Sequence, residues 1–548
     1  MGHRVIWDKV WVIIVAVIIL VLAALAGILL RNSELMESLR YQFSEEPLRL
    51  GIADPIEILD PVRISHRGEK MVGVNLYEGL ISFDPETLEP RPSLAASWEV
   101  SEDARVFSFK LRKDACFHSG RLVTAEDVKY SWERNLSAGL NAPSVHLLMP
   151  IRGVYEKVKG KAASVEGIEI LNNQEIRVTL EQPNIGFLSR LGMPAFWVID
   201  REVVQSEGNK FGLPGSASAG TGPFLLKEWQ KNKLVILDKF SNYWGTKSRL
   251  SQAEFIQIDP QAGLKSFQEG KIDYLDELPS SELKNVLQDP VVVQMVKRTG
   301  LLDSYFYQFN FQNPIWGASV GLRQALNYAV NRTVIIDRLF GGVGKPLNSL
   351  MPAGFRERNW DPIPYEFNQP MAVQLLADAG YPGGKGLPAL ELAYNDLESH
   401  RIIAEELKQQ LGQIGVNVIL RPVPWKQYKA DLAVGKYTCF RGGWSWEYPD
   451  PDDLFFNNFH SAQIGKTNYS FYRNQGVDDL LNSARMEAHD QKQRMEYYRQ
   501  VEKQIAADAP LLWLFAWERV VLVSPKVHNL QVTALDLVPL HRVGLLVN

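Results

Sequence analysis

The segment Arg441-Gly442-Gly443-Trp444-Ser445-Trp446-Glu447 gathers one cation, one anion and two indoles around a pair of glycines. An arginine grips a carboxylate through two parallel hydrogen bonds, and a carboxylate is a fitting partner for an ammonium group. On a strand, Trp444 and Trp446 would face the same side and offer flat apolar area with a polar edge. One acid and one arginine suit a zwitterion, whereas a metal ion would need several histidines or carboxylates to converge. Plainer readings stand beside these. Glu447 also fits a solvated surface carboxylate, and either indole fits core packing. Asp450 and Asp452, in the rigid stretch Tyr448-Pro449-Asp450-Pro451, read as structural hydrogen-bonding groups.

Covalent chemistry finds no support elsewhere in the chain. The nine histidines show no spacing that assembles a nucleophile with a base, and GxSxG, HExxH, P-loop and Rossmann glycine patterns are missing. An enzyme is therefore not expected. Cys116 and Cys439 form no CxxC or Cys/His cluster, so two unpaired buried thiols are expected, with no metal and no cofactor. A formal net charge of -4 leaves no basic field of the kind nucleic acid requires. With 548 residues, 46% hydrophobic and 22% charged, the chain should fold into two or three globular units.

The N-terminus calls for its own account. Residues 10–30 contain no charged or strongly polar side chain, and as a helix they would span roughly 30 Å, the thickness of a bilayer's hydrocarbon core. Arg4 and Lys9 precede the run, which favours a cytoplasmic N-terminus and export of the remaining chain. Ala24-Leu25-Ala26 satisfies a signal-cleavage rule, but the apolar run continues past it, so an uncleaved anchor is the preferred reading. No cysteine closely follows, which excludes a lipid anchor. Residues 32–46 read as a polar tether.

The elements that must position the candidate residues are read from periodicity. Strands are expected at 48–52, 106–111, 166–171, 175–180, 224–229, 234–238 and 416–421. Helices are expected from Thr124, with Asp127 completing a capping box, and at 321–340, 371–379, 400–414 and 491–507. A last apolar run at 511–516 precedes a strand at 519–523. Asn310 is read as bonding strand backbone. This mixture predicts an α/β fold whose chain crosses between lobes more than once.

Several motifs, in order, carry a resemblance. The stretch from Asn75 to Arg134, beginning NLYEGLISFD, is similar to the family 5 extracellular solute-binding proteins that serve peptide and nickel ABC importers. TGPFLLKEW at Thr221, SNYWG at Ser241, LRQALNYAVNR at Leu322 and GWSWEYPDPDD at Gly443 continue it. The resemblance covers the chain from about Pro47 onward and is nearest in motif to the oligopeptide-binding members.

The resemblance implies a specific architecture and ligand. The fold would be periplasmic-binding-protein-like, with two large α/β lobes and an extra smaller domain around a ligand cleft. The N-terminal tip, anchor and tether would occupy 1–46. A discontinuous first lobe would comprise 47–74, 195–298 and 511–548, the extra domain 75–194, and the third lobe 299–510. The protein would capture peptides outside the cytoplasm by hinge closure, as a monomer, and hand them to ABC permease and ATPase subunits. Glu447 stands where similar receptors carry an aspartate and would hold the peptide ammonium. Arg441, matching an arginine of those receptors, and His400, in YNDLESHR, would hold the carboxylate, with Trp444 and Trp446 lining a pocket. The competing readings are a receptor of the same family for nickel chelates, haem or another small solute, and a membrane-anchored ligand sensor.

Overall fold

A computed structural model describes residues 41–137, 139–352, 355 and 360–547. The apolar segment 10–30 and the tether up to residue 40 lie outside the described residues. Among the described residues, no helix is long and apolar enough to cross a membrane.

Two strands, Val296–Phe309 and Leu511–Val523, are 14 and 13 residues long, about twice the usual strand length. They pair antiparallel along almost their whole length, with register shifts between Gly300 and Ser304 and between Tyr305 and Phe306. They lie at the centre of a twelve-stranded sheet. On one side come Tyr274–Leu275, Leu48–Ile52, Gln252–Gln257, Leu234–Lys239 and Phe224–Gln230. On the other stand Cys439–Arg441, Leu390–Asn395 and Val418–Val423. Leu48–Ile52 runs parallel to both of its neighbours, and so does Leu390–Asn395, which requires helical crossovers between them.

Besides the core that Val520 and Leu522 share with Leu264 and Leu275, the long pair feeds three others. Val521 and Val523 join Leu48, Phe255 and Tyr274 in one. Tyr305, Tyr307, Phe309, Leu512 and Leu514 face a second, while Phe306, Leu511 and Trp513 face a third on the opposite side of the sheet. That division is the two-residue alternation of a strand buried on both faces. The shift at Tyr305/Phe306 breaks the alternation once and brings Phe515 to the same side as Leu514. Tyr305 consequently stacks on Phe515, ring centroids 5.0 Å apart.

A separate four-stranded antiparallel sheet, in the order Ala95–Val100, Val106–Leu111, Glu175–Thr179 and Ile168–Asn172, has its own core of Phe107, Phe109, Ile176 and Val178. Helix Ala125–Arg134 packs there through Val128 and Trp132. Its expected start holds: Asp127 accepts the Thr124 backbone N–H at 3.0 Å and the hydroxyl at 2.7 Å.

Three expectations need correction. The stretch 321–340 forms two helices, Val320–Ala329 and Arg332–Phe340, because Asn331 takes extended backbone and caps the second through its side chain. The apolar run at 511–516 and the strand at 519–523 are one strand, since its partner continues across the gap. Both cysteines are free, and Cys439 is buried, which pushes its thiol well up, but Cys116 is half-exposed.

Candidate ligand-binding site

Arg441 ends strand Cys439–Arg441 and lies opposite Tyr307 in the register of the long strand. The two glycines after it let the chain leave and rejoin that strand. Gly442 donates its N–H to the Phe306 carbonyl at 2.8 Å. Gly443 has φ +120, and a Cβ there would meet the Ser304 carbonyl oxygen at 2.7 Å, so only glycine fits. Trp444 and Ser445 then pair with Ser304 and Asp303. The turn that separates Arg441 from Glu447 is thus imposed by backbone clearance.

His400 comes from a different element, the first turn of helix Glu398–Gly412, which follows strand Leu390–Asn395. Its Nδ1 lies 3.0 Å from the Tyr305 hydroxyl. The Arg441 guanidinium carbon is 5.3 Å from the Tyr305 ring centre. Arg441 and His400, far apart in sequence, therefore meet over one tyrosine. Burial, with the Arg441 charge adding, lowers His400 to about 4. At neutral pH the imidazole is uncharged, and it acts as a hydrogen-bonding group rather than a second cation. Burial also raises the Tyr305 phenol, so its proton stays on.

Glu447 occupies a more open position, its side chain 43% exposed. Its backbone N–H donates to Asp453 Oδ2 at 2.8 Å, and the Trp444 indole N–H donates to the same oxygen at 2.9 Å. Burial pushes Asp453 up to about 7 against the pull of these two donors. The Glu447 carboxylate meets His146 Nε2 at 2.6 Å.

The indoles do turn to one side, but that side is core. Trp446 is 7% exposed and stacks on Phe355, while Trp444 packs partly buried against the same cluster. The pocket-lining expectation is corrected for Trp446: the strand's inner face looks into packed side chains. Asp450 and Asp452 are structural, as their setting in a proline-bound loop suggests. Asp450 takes two hydrogen bonds from buried Arg494, at 2.9 and 2.6 Å, and Asp452 binds Arg485 at 2.7 Å and Asn184 at 3.0 Å. Asn310 donates to the carbonyls of Gly435 and Tyr437, which lie in the loop before strand Cys439–Arg441 and not in the strand expected of it.

Four residues of this region were not singled out by sequence: Tyr305, Asp303, His146 and Asp453. The alternation in Ser304-Tyr305-Phe306-Tyr307 marks a strand and could have flagged the tyrosine. Asp303, raised to about 6 by burial although Ser445 and the Arg441 charge pull it down, carries no such signal, and neither does His146.

A cavity of 340 Å³ elsewhere is lined by Glu78, Arg112, Trp244, Leu535 and His541 among others. Its half-buried acid is already engaged: Tyr243 and Trp244 donate to Glu78 at 2.8 and 2.9 Å.

Residues 89–466, more than half of the chain, match the family described as bacterial extracellular solute-binding proteins, family 5 middle. The chain belongs to this family. Its members are solute-binding transport proteins. The chain is similar to the periplasmic oligopeptide-binding protein of Escherichia coli (strain K12), 28% identical, covering 86% of this chain and 87% of that one. It is also similar to the dipeptide-binding protein DppE of Bacillus subtilis (strain 168), 29% identical, covering 83% and 84%. Among solved structures, the murein tripeptide-binding protein MppA in its unliganded open form superposes with a TM-score of 0.83 at 26% identity, over 93% of this chain and 99% of that one.

Proposed function

We propose that this family 5 protein captures short peptides outside the cytoplasm and delivers them to an ABC importer. The observation that carries the reading is the charge pattern on either side of Gly442-Gly443. Arg441 stands over Tyr305 beside a neutral His400, and Glu447 lies six positions further along the chain. A cation and an anion so placed match the two ends of a zwitterion, and the relatives named as oligopeptide- and dipeptide-binding proteins support the same ligand class.

Arg441 takes the carboxylate as a charge-assisted pair, with Tyr305 and neutral His400 as hydrogen-bonding partners. Glu447 takes the ammonium.

In this reading the lobes divide as 47–74 with 195–298 and 511–548, 75–194, and 299–510, and they close about the long strand pair. Closure requires contacts that differ between the open and closed states. Export, tethering through residues 10–30, a monomeric receptor and docking to permease and ATPase subunits belong to the same proposal.

Calorimetry with di- to hexapeptides, their N-acetylated and C-amidated forms, and a nickel chelate tests it. Heat with free peptides and at least tenfold weaker binding of both blocked forms, about 1.4 kcal/mol each, is expected. Heat with the nickel chelate and none with any peptide would overturn it.

A further inference from the structure

The partner of Glu447 comes from a distant part of the chain. His146 lies 301 positions earlier and reaches the carboxylate at 2.6 Å. Both side chains remain open to solvent, 49% and 43% exposed, so a solute can reach the pair. The imidazole is nevertheless held in place. It sits on the turn Val145–Leu148, anchored by buried Leu147 and Leu148, and Arg190 donates to the Leu147 carbonyl at 3.3 Å.

The charged groups around the pair come from three elements. Glu447, from the loop after Trp444–Ser445, raises the pKa of His146 through its hydrogen bond; partial burial and the Arg190 guanidinium, from helix Phe187–Arg190, oppose it. On helix Pro451–Phe459, Asp453 accepts the Glu447 backbone N–H, and Asp452 is engaged by Arg485.

We propose that His146 competes with the incoming peptide ammonium for the Glu447 carboxylate, so that capture of free-amine peptides weakens as the pH falls below neutrality. This rests on the peptide-binding reading above. A protonated imidazole at hydrogen-bonding distance cancels much of the acid's field where the ammonium must dock. A neutral imidazole leaves the carboxylate its full charge. Because the pair raises the imidazole's proton affinity, the charged form persists toward neutrality and is lost as pH rises through its folded pKa. Competition is therefore strong on the acid side and fades on the neutral side. Asp453, raised to about 7, titrates in the same range, so the profile of the unaltered protein mixes two groups. Replacing His146 separates them because Asp453 stays in place.

The test measures Kd for trialanine and N-acetyl-trialanine by calorimetry, at about pH 5.5 and about pH 7.5, in the full chain and in His146→Gln. For trialanine the unaltered protein should bind up to about fivefold more weakly at the acid pH, the range of a solvent-exposed ion pair. His146→Gln should reduce that ratio to under about twofold and tighten binding at the acid pH. N-acetyl-trialanine, lacking the ammonium, should show little ratio in either protein. Equal ratios for the two proteins with trialanine would overturn the competition. Glu447→Gln tells that failure apart from a wrong site: unchanged trialanine affinity in this variant would remove Glu447 from the site altogether.

Discussion

The two ends of the proposed site are built differently. At the Arg441 end, the arginine, Tyr305 and His400 stand on strands and a helix turn that share one buried core, and the tyrosine between them is 1% exposed. At the Glu447 end, the acid is half-exposed and meets a histidine from the turn Val145–Leu148, which packs on the four-stranded sheet, across a gap of 301 residues. The first is held by strand register, the second by the core in which Tyr448, next to Glu447, packs with Leu147 and Leu148. The carboxylate should therefore be gripped tightly and invariantly, while the ammonium grip is open to solvent and pH.

The largest effect should come from the scaffold beneath the Glu447 end. Asp450→Ala leaves the guanidinium of Arg494, 4% exposed on its side chain, without its bidentate partner. A loss of about 3–5 kcal/mol in unfolding free energy is expected, seen as a lowered denaturant midpoint. A shift under about 1 kcal/mol would mean that this loop does not depend on the pair.

Next in size is Arg441→Ala, which removes the cation from the partly buried end. Peptide affinity should fall by about 2–5 kcal/mol with little change in stability, and Arg441→Lys should recover only part of it because the two-pronged geometry is lost. Full recovery by lysine would reduce that end to a point charge.

Glu447→Gln should cost less, about tenfold in Kd or 1.4 kcal/mol, as befits an exposed group. A loss matching that of Arg441→Ala would erase the contrast between the ends. The smallest effect is expected for Tyr305→Phe, about 0.5–1.5 kcal/mol in peptide affinity, the worth of one hydrogen bond. Its ring stacking on Phe515 is retained, so the unfolding midpoint should hold steady.

Much of the local architecture was legible in the residues alone. The strand Leu48–Ile52, the capping box of Thr124 and Asp127, and the charged helix Gln491–Asp508 come from side-chain period and cap chemistry, which act over a few residues. The break inside 321–340 was not, because Val330 and Asn331 interrupt a continuous apolar stripe without a glycine or proline. Nor was the fate of Trp446. An indole in a glycine-flanked strand fits a pocket or a core equally well, and which face is covered depends on the helices packed against it.

By itself, the sequence determined the family, the α/β alternation and the presence of an arginine, an acid and a glycine turn between residues 441 and 447. Those features reside in residue types and short spacings. Only the tertiary structure decided that His400 reaches Arg441 through Tyr305, and that His146 reaches Glu447. Register shifts in the long strand pair and the approach of two separate sheets set those contacts. Such long-range pairings arise from the path of the whole chain, and no local propensity encodes them.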